Sequence, residues 1–133
     1  MGRYPDGVLT VLVVDDEPDV RLIARLVLTA ADMEVREVES GEAAMSELIS
    51  GRSPDVLLLD VRMPGIDGWE VLRRIRAEPA IQHLPVVVFT ADITAAVEAP
   101  DTLGDGDVLI RKPFQADELL AAVETAVRGD VTR

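Results

Sequence analysis

The sequence predicts an α/β fold in which helices cover both faces of a five-stranded parallel sheet. Short apolar runs alternate with amphipathic segments along the chain, which is the pattern of repeated βαβ units. Hydrophobic residues make up 48% of the 133 residues but aromatic residues only 3%. The core must therefore be largely aliphatic, which suits a sheet buried on both faces. A chain of this length fits a single domain.

Three strands are predicted in the first half of the chain. Val8–Val14 is an apolar, largely β-branched run that stops at two carboxylates. Glu34–Val38 is a short alternating segment, and Asp55–Asp60 is an apolar run bounded by turn residues. Short apolar or alternating runs with such boundaries are typical of strands.

Two helices connect these strands. The first begins near Asp19, where apolar residues start to recur at helical spacing. We expect four of its side chains to face the core: Val20, Ile23, Val27 and Ala30. Ser40 can cap the second helix, which extends through Ile49 and stops before Gly51.

The second half repeats this pattern, with one weak segment. Helices are predicted at Asp67–Ala77 and Gln115–Val127, and strands at Leu84–Phe89 and Val108–Arg111. Ile93–Glu98 can form a helical turn or two, but the proline and glycines that follow make the stretch a poor helix. Three arginines of the third helix are expected to face solvent: Arg73, Arg74 and Arg76.

Composition narrows the classes of function. The formal net charge of −12 argues against a nucleic acid partner, because a phosphate backbone is bound by basic residues. The chain has no cysteine and one histidine, His83, so thiolate chemistry and the usual zinc ligands are excluded. No segment resembles a signal peptide or a membrane span, and we expect a cytoplasmic protein without a membrane partner. The expected domain is 8–127, between an extended or disordered 1–7 and a tail, 128–133.

Polar side chains stand at the ends of four predicted strands: Asp15 and Asp16, Asp60, Thr90, and Lys112. The carboxyl ends of parallel strands share one edge, where ligands bind in open α/β sheets. Neighbouring carboxylates repel, which raises the pKa of at least one of them unless a cation lies between them. Magnesium fits this site, with Asp16 and Asp60 as direct ligands and Asp15 acting through water.

The same residues favour phosphoryl transfer. An aspartate can act as a covalent nucleophile, so Asp60 would carry the phosphoryl group. Lys112 and the Thr90 hydroxyl would stabilise charge on its oxygens, and the small Ala91 leaves room for it. Each residue alone also has an ordinary interpretation, as a turn former or a strand end. Their order along the chain favours the functional one.

These motifs resemble those of bacterial two-component response-regulator receiver domains such as the chemotaxis regulators. The resemblance extends from about residue 8 to residue 127 and rests on four pieces in order: Asp15-Asp16, the LDVRMPGIDG segment around Asp60, Thr90-Ala91, and Lys112-Pro113-Phe114. It implies a flavodoxin-like (βα)5 fold with strand order 2-1-3-4-5, and magnesium as the cofactor. It also implies phosphorylation of Asp60 by a sensor histidine kinase, a phosphotransfer protein or a small phosphodonor, followed by self-catalysed hydrolysis.

Further site residues follow from the same resemblance. The Lys112–Pro113 peptide bond would be cis, and the backbone carbonyl of Arg62 would be the third protein ligand to magnesium. Leu109 stands at the switch position of the fifth strand, where the family usually has an aromatic residue. The usual readout of phosphorylation, in which that aromatic residue turns inward, is therefore not expected to operate unchanged.

Two side chains are expected to control the lifetime of the phosphorylated state. Arg62 follows Asp60 by two residues, and Asp92 follows Thr90 by two. In this fold both side chains overhang the pocket. We hypothesise that they pair across its entrance and obstruct the attacking water.

The leading interpretation is a signalling switch rather than a metabolic enzyme. Two alternatives remain at this stage: an interaction module of the same fold that is not phosphorylated, and a magnesium-dependent phosphatase of the haloacid dehalogenase type. The phosphatase family has a second aspartate two residues after its nucleophile, where this chain has Arg62. The downstream partner is open, as is formation of a homodimer.

Overall fold

The structure is a computed structural model that describes residues 7–92, 94, 99–100, 103–104 and 107–129. Its strands are β1 (Thr10–Val14), β2 (Glu34–Val38), β3 (Val56–Asp60), β4 (Val86–Thr90) and β5 (Val108–Arg111). Its helices are α1 (Pro18–Ala30), α2 (Gly41–Ile49), α3 (Gly68–Ala77) and α4 (Ala116–Arg128). The expected helical turns at 93–98 lie almost wholly outside the described residues.

All five strands pair in parallel, in the order β2-β1-β3-β4-β5. The predicted fold class and strand order are confirmed. The register places Asp60 beside Phe89 and Thr90 beside Arg111. The carboxyl ends of the central strands therefore lie at one edge, as the placement of the polar residues required.

Helices pack on both faces of the sheet because each central strand is apolar on both sides. Alternate residues, such as Leu57 and Leu59, face one apolar core that includes side chains of α2 and α3. Their neighbours, such as Val56 and Leu58, face a second core that includes side chains of α1 and α4. A continuous apolar run buried on two faces is the expected signature of a parallel strand.

The predicted inner face of α1 was partly wrong. Ala24 and Leu28 are fully buried, whereas Ile23 is 51% exposed and Ala30 is also at the surface. The helix carries apolar residues on more than one side, so helical spacing alone allows two different buried faces. In the fold, the face centred on Ala24 packs against the sheet.

The caps of α2 and α3 agree with their sequences. Ser40 Oγ accepts a hydrogen bond from the Ala43 N–H at 3.0 Å, and Asp67 Oδ1 accepts one from the Glu70 N–H at 2.9 Å. Side-chain oxygens at this position satisfy amide groups that the first helical turn leaves unpaired. Both helices therefore begin at defined positions near the carboxyl edge of the sheet.

Arg76, predicted to face solvent, is instead mostly buried. Its guanidinium forms a 2.6 Å ion pair with Asp107 and donates to the carbonyl groups of Gln82 and Leu84. These partners immediately precede β4 and β5, so Arg76 ties the end of α3 to the amino ends of two strands. Within the described ranges, no helix is both long and apolar enough to cross a membrane.

Candidate functional site

Three carboxylates meet at the carboxyl edge of the sheet. Asp15 is fully buried, Asp60 is 3% exposed, and Asp16 lies at the surface. One oxygen from each lies within 4.8 Å of the others. The strands deliver these side chains from β1 and β3, which are adjacent in the sheet. The acidic cluster predicted from the sequence is therefore assembled in the fold.

Lys112 lies among these carboxylates. Its Nζ is 2.7 Å from Asp15 Oδ2, 3.4 Å from Asp60 Oδ1 and 3.5 Å from Glu17 Oε1. The ammonium group also lies 4.9 Å from the ring centroid of Phe89, a distance at which a cation is attracted to the ring face. Glu17 was not singled out from the sequence, where it is one more acidic residue in the turn after β1.

The charges in the site shift two pKa values. Burial and the neighbouring charge of Asp15 raise the pKa of Asp60 to about 6, although Lys112 opposes the shift. Burial disfavours the charge on Lys112, but its hydrogen bond with Asp15 and the charges of Asp60, Asp15 and Glu17 outweigh this and raise its pKa. At neutral pH the site therefore holds a mostly ionised Asp60 beside a charged lysine.

Thr90 closes the site on the β4 side. Its side chain is almost fully buried, and its Oγ1 accepts a hydrogen bond of 3.1 Å from the Asp92 N–H. The hydroxyl keeps its own proton to donate to another oxygen. Ala91, the next residue, is exposed and adds no bulk at the entrance.

Arg62 and Asp92 form an ion pair, with Nε 3.0 Å from Oδ2 and both side chains about two fifths exposed. Asp92 also accepts hydrogen bonds from the Thr94 hydroxyl and N–H, at 2.6 and 3.0 Å. The hydrogen bonds from Thr94 and the nearby Arg62 lower the pKa of Asp92. The pairing hypothesised from the sequence is present, and it joins the loop after β3 to the residues after β4.

Close packing holds Asp60 and Lys112 in place. The Gly68 N–H donates to Val61 O at 2.8 Å, and a Cβ at position 68 would collide with the backbone of Asp60. Only glycine allows α3 to begin this near the end of β3. On the other side, the Lys112 N–H donates to Thr90 O at 3.0 Å, and the Lys112–Pro113 peptide bond is cis, the isomer that the resemblance implied.

Leu109 lies on the same face of the sheet as Thr90. It pairs in register with Val88, two residues before Thr90, and side chains two residues apart on a strand share a face. Leu109 is 37% exposed. The position that the resemblance assigns to the switch residue therefore holds an aliphatic side chain on the Thr90 face of the sheet.

An apolar pocket of about 230 Å³ adjoins the site. It is lined by Val20, Ile23, Ala91, Lys112, Pro113 and Phe114. Helical spacing had predicted that Ile23 faces the core, so this surface was not foreseen. Exposed Leu22 and Leu26 extend the apolar surface of α1.

Comparisons with known proteins agree with this geometry. The family model for the response regulator receiver domain matches residues 11–124. The DNA-binding transcriptional regulator NtrC of Escherichia coli K12 is 40% identical over 119 residues, which is 88% of this chain and 24% of that protein. The phosphate regulon transcriptional regulatory protein PhoB of Rhizobium meliloti is 33% identical over 118 residues, covering 89% and 52%. The chain thus spans about a quarter of the length of the first of these curated relatives and about half of the second.

Solved structures show the same relationship. A putative response regulator from Chloroflexus aurantiacus has a TM-score of 0.81 and 37% identity, covering 90% of this chain and 98% of that one. The chemotaxis response regulator CheY4 of Vibrio cholerae has a TM-score of 0.79 and 25% identity over the same shares. The chain belongs to the response regulator receiver domain family of two-component systems.

Proposed function

We propose that the protein is a magnesium-dependent phosphorylation switch that accepts a phosphoryl group on Asp60 and later hydrolyses it. The observation that carries this proposal is the environment of Asp60: a buried carboxylate with the Lys112 ammonium 3.4 Å away and an almost fully buried threonine, Thr90, at the end of the next strand. A nucleophile, a cation and a hydroxyl donor at one strand edge are what transfer of a phosphoryl group needs.

The carboxylates fit a magnesium ion. Their oxygens lie close together, and a hard divalent cation prefers such oxygen ligands. Asp15 already accepts hydrogen bonds from the Glu17 N–H and from Lys112, which favours contact with the ion through water. Asp16, Asp60 and the backbone carbonyl of Arg62 are the proposed direct ligands. The bound ion would neutralise charge on the phosphoryl oxygens.

The residues of the chain then have distinct roles in the transfer. An ionised oxygen of Asp60 attacks phosphorus and forms a new O–P bond. The bond from phosphorus to the donor breaks, and the donor keeps that electron pair. Lys112 pairs with one phosphoryl oxygen, and the Thr90 hydroxyl donates to another. Hydrolysis reverses the modification when water attacks phosphorus and Asp60 leaves as a carboxylate.

The phosphodonor is proposed to be a phosphohistidine of a sensor histidine kinase or a phosphotransfer protein. Receiver domains of response regulators interact with histidine kinases, which supports this choice. A donor histidine must reach Asp60, so its protein must also touch the rim of the site. The apolar pocket that includes Ile23 and Phe114 offers such a surface. A cytoplasmic location remains a prediction, and the downstream partner and homodimer formation are open.

Phosphorylation is tested by incubating the protein with acetyl phosphate and magnesium and measuring its intact mass. We expect the addition of one phosphoryl group, which is lost in Asp60→Asn. Asp55→Asn is the matched control, because Asp55 lies beside the opposite end of β3. Among the described hydrogen bonds, its carboxylate accepts one, from the Thr10 N–H. Asp55→Asn should be modified like the wild type. No mass gain in the wild type would favour the unphosphorylated interaction module.

Arg62 and Asp92 are proposed to set the lifetime of the phosphoryl group. Their ion pair lies between the loop after β3 and the residues after β4, where water would approach Asp60. Removing either side chain should accelerate dephosphorylation, whereas reversing both charges (Arg62→Asp with Asp92→Arg) should restore part of the lifetime. The decay of phosphorylated protein is followed by mass after removal of the donor. An unchanged rate in either single alanine variant would contradict this role of the ion pair.

A further inference from the structure

We propose that Glu42 of α2 is a positioning residue for the acceptor loop, defined as residues 61–67 between β3 and α3. This inference rests on the proposed function, because the acceptor loop follows Asp60 and contains the carbonyl of Arg62 that is proposed to bind magnesium. Glu42 itself does not belong to the acidic cluster. Its role would be to hold the loop in the conformation that presents that carbonyl.

The contact is direct. Glu42 Oε2 accepts a hydrogen bond of 3.2 Å from the Ile66 N–H. Hydrogen bonds from the backbone amides of Glu42 itself and of Ile66 lower the pKa of Glu42, so the carboxylate is ionised at neutral pH. A carboxylate in the first turn of a helix is also favoured by the helix dipole. Glu42 is thus held at the start of α2 and reaches across to the acceptor loop.

Gly65 shows how closely the two segments approach. A Cβ built at position 65 would lie 2.5 Å from Glu42 Oε2, and Gly65 has a φ of +80°. The positive φ therefore favours glycine at position 65, where the Glu42 carboxylate lies against the backbone. Gly41 lies against Ile66, with a built Cβ 2.6 Å from Ile66 Cγ1 and 2.9 Å from Ile66 O. The start of α2 therefore packs closely against residues 65 and 66 of the loop.

Other contacts also hold the loop. The Gly68 N–H donates to Val61 O across its two ends, Asp67 caps α3, and Met63 is buried in the core. The hydrogen bond from Ile66 to Glu42 adds a polar contact with a second helix, α2. Without it, we expect the loop to sample more conformations, and magnesium binding must then select among them.

The test compares Glu42→Ala with Glu42→Gln. Glutamine removes the charge but keeps an oxygen that can accept from the Ile66 N–H, so it separates the hydrogen bond from a general electrostatic effect. Glu47→Ala is the matched control, because Glu47 lies on the same helix and pairs with Arg36 and Arg52, away from the loop. Amide hydrogen exchange at Ile66 reports the contact, and calorimetric titration reports the magnesium Kd.

We expect Glu42→Ala to speed exchange at Ile66 and to raise the magnesium Kd by about threefold to tenfold, the range of one lost hydrogen bond. Glu42→Gln and Glu47→Ala should stay near wild type in both measurements. A wild-type Kd in Glu42→Ala, or an equal loss in Glu42→Gln, would overturn the positioning role. If wild type binds no magnesium and is not phosphorylated, the proposed function itself fails, as does the role that rests on it.

Discussion

Buried charges occur at both ends of the sheet, and the two groups are built differently. At the amino ends of β4 and β5, Arg76 pairs with Asp107 at 2.6 Å and also donates to two backbone carbonyls. At the carboxyl edge, Lys112 faces the carboxylates of Asp15 and Asp60, with Asp16 close by. The first group is balanced in charge. The second has two buried carboxylates for one ammonium, and Asp16 and Glu17 add negative charge at the surface.

The difference separates a structural group from a reactive one. Arg76 and Asp107 satisfy each other, and Asp107 Oδ2 also accepts from the Gly104 N–H. In contrast, burial and Asp15 raise the pKa of Asp60 to about 6 because Lys112 cannot compensate for every nearby charge. A buried excess of negative charge costs stability, and under the proposed function it prepares the site for a cation and a phosphoryl group.

The largest effect on stability is expected at the amino ends of β4 and β5, where the charges of Arg76 and Asp107 balance. Arg76→Ala leaves Asp107, whose side chain is 4% exposed, without its cationic partner. Removal of one member of a buried pair costs about 3 kcal/mol or more, so the free energy of unfolding in urea should fall by that amount. Arg73→Ala, on the exposed face of α3, is the control. A loss below about 1 kcal/mol would show that the Arg76 pair is not structural.

A smaller effect of opposite sign is expected at the carboxyl edge of the sheet. The native pKa of Asp60 lies above that of an unfolded aspartate, so protonated Asp60 stabilises the folded state in acid, and this contribution is lost as the pH rises through about 6. Without magnesium, the stability of Asp60→Asn relative to the wild type should therefore increase by about 2 kcal/mol between pH 4 and pH 7. Urea unfolding in a chelator at both pH values measures this. An equal difference at both pH values would contradict the raised pKa.

The smallest effect is expected for exposed pairs. Glu70 binds Arg73 and Arg74 at 2.8 and 2.9 Å, but all three side chains are more than a third exposed. Water screens such pairs, so Glu70→Gln should leave the free energy of unfolding close to that of the wild type. A loss as large as that of Arg76→Ala would mean that burial does not distinguish these pairs from Arg76 and Asp107.

The sequence predicted the fold and the grouping of the candidate site residues better than the faces and partners of the helices. Asp60 and Thr90 could be located because each ends an apolar run, and strand order then brings them together. The sequence does not decide which face of α1 is buried, because Ile23 and Ala24 both belong to apolar stripes. The partner of Arg76 lies 31 residues away in a loop, where no periodicity connects the two.

The contact of Glu42 was missed for a similar reason. From the sequence it is an acidic residue in a first helical turn, which the helix dipole already explains. Its contact with the acceptor loop depends on how α2 and α3 pack side by side. Such packing between elements is set by the whole fold rather than by local pattern.

A magnesium titration at several pH values tests most directly whether the excess of negative charge is a metal site. The wild type should bind magnesium at pH 7.5, with a Kd that rises steadily below pH 6 as protons compete for Asp60. Asp60→Asn should bind weakly throughout, and Asp55→Asn should behave as the wild type. A wild-type Kd that does not depend on pH, or that Asp60→Asn leaves unchanged, would contradict the assignment of this edge as the magnesium and phosphoryl site.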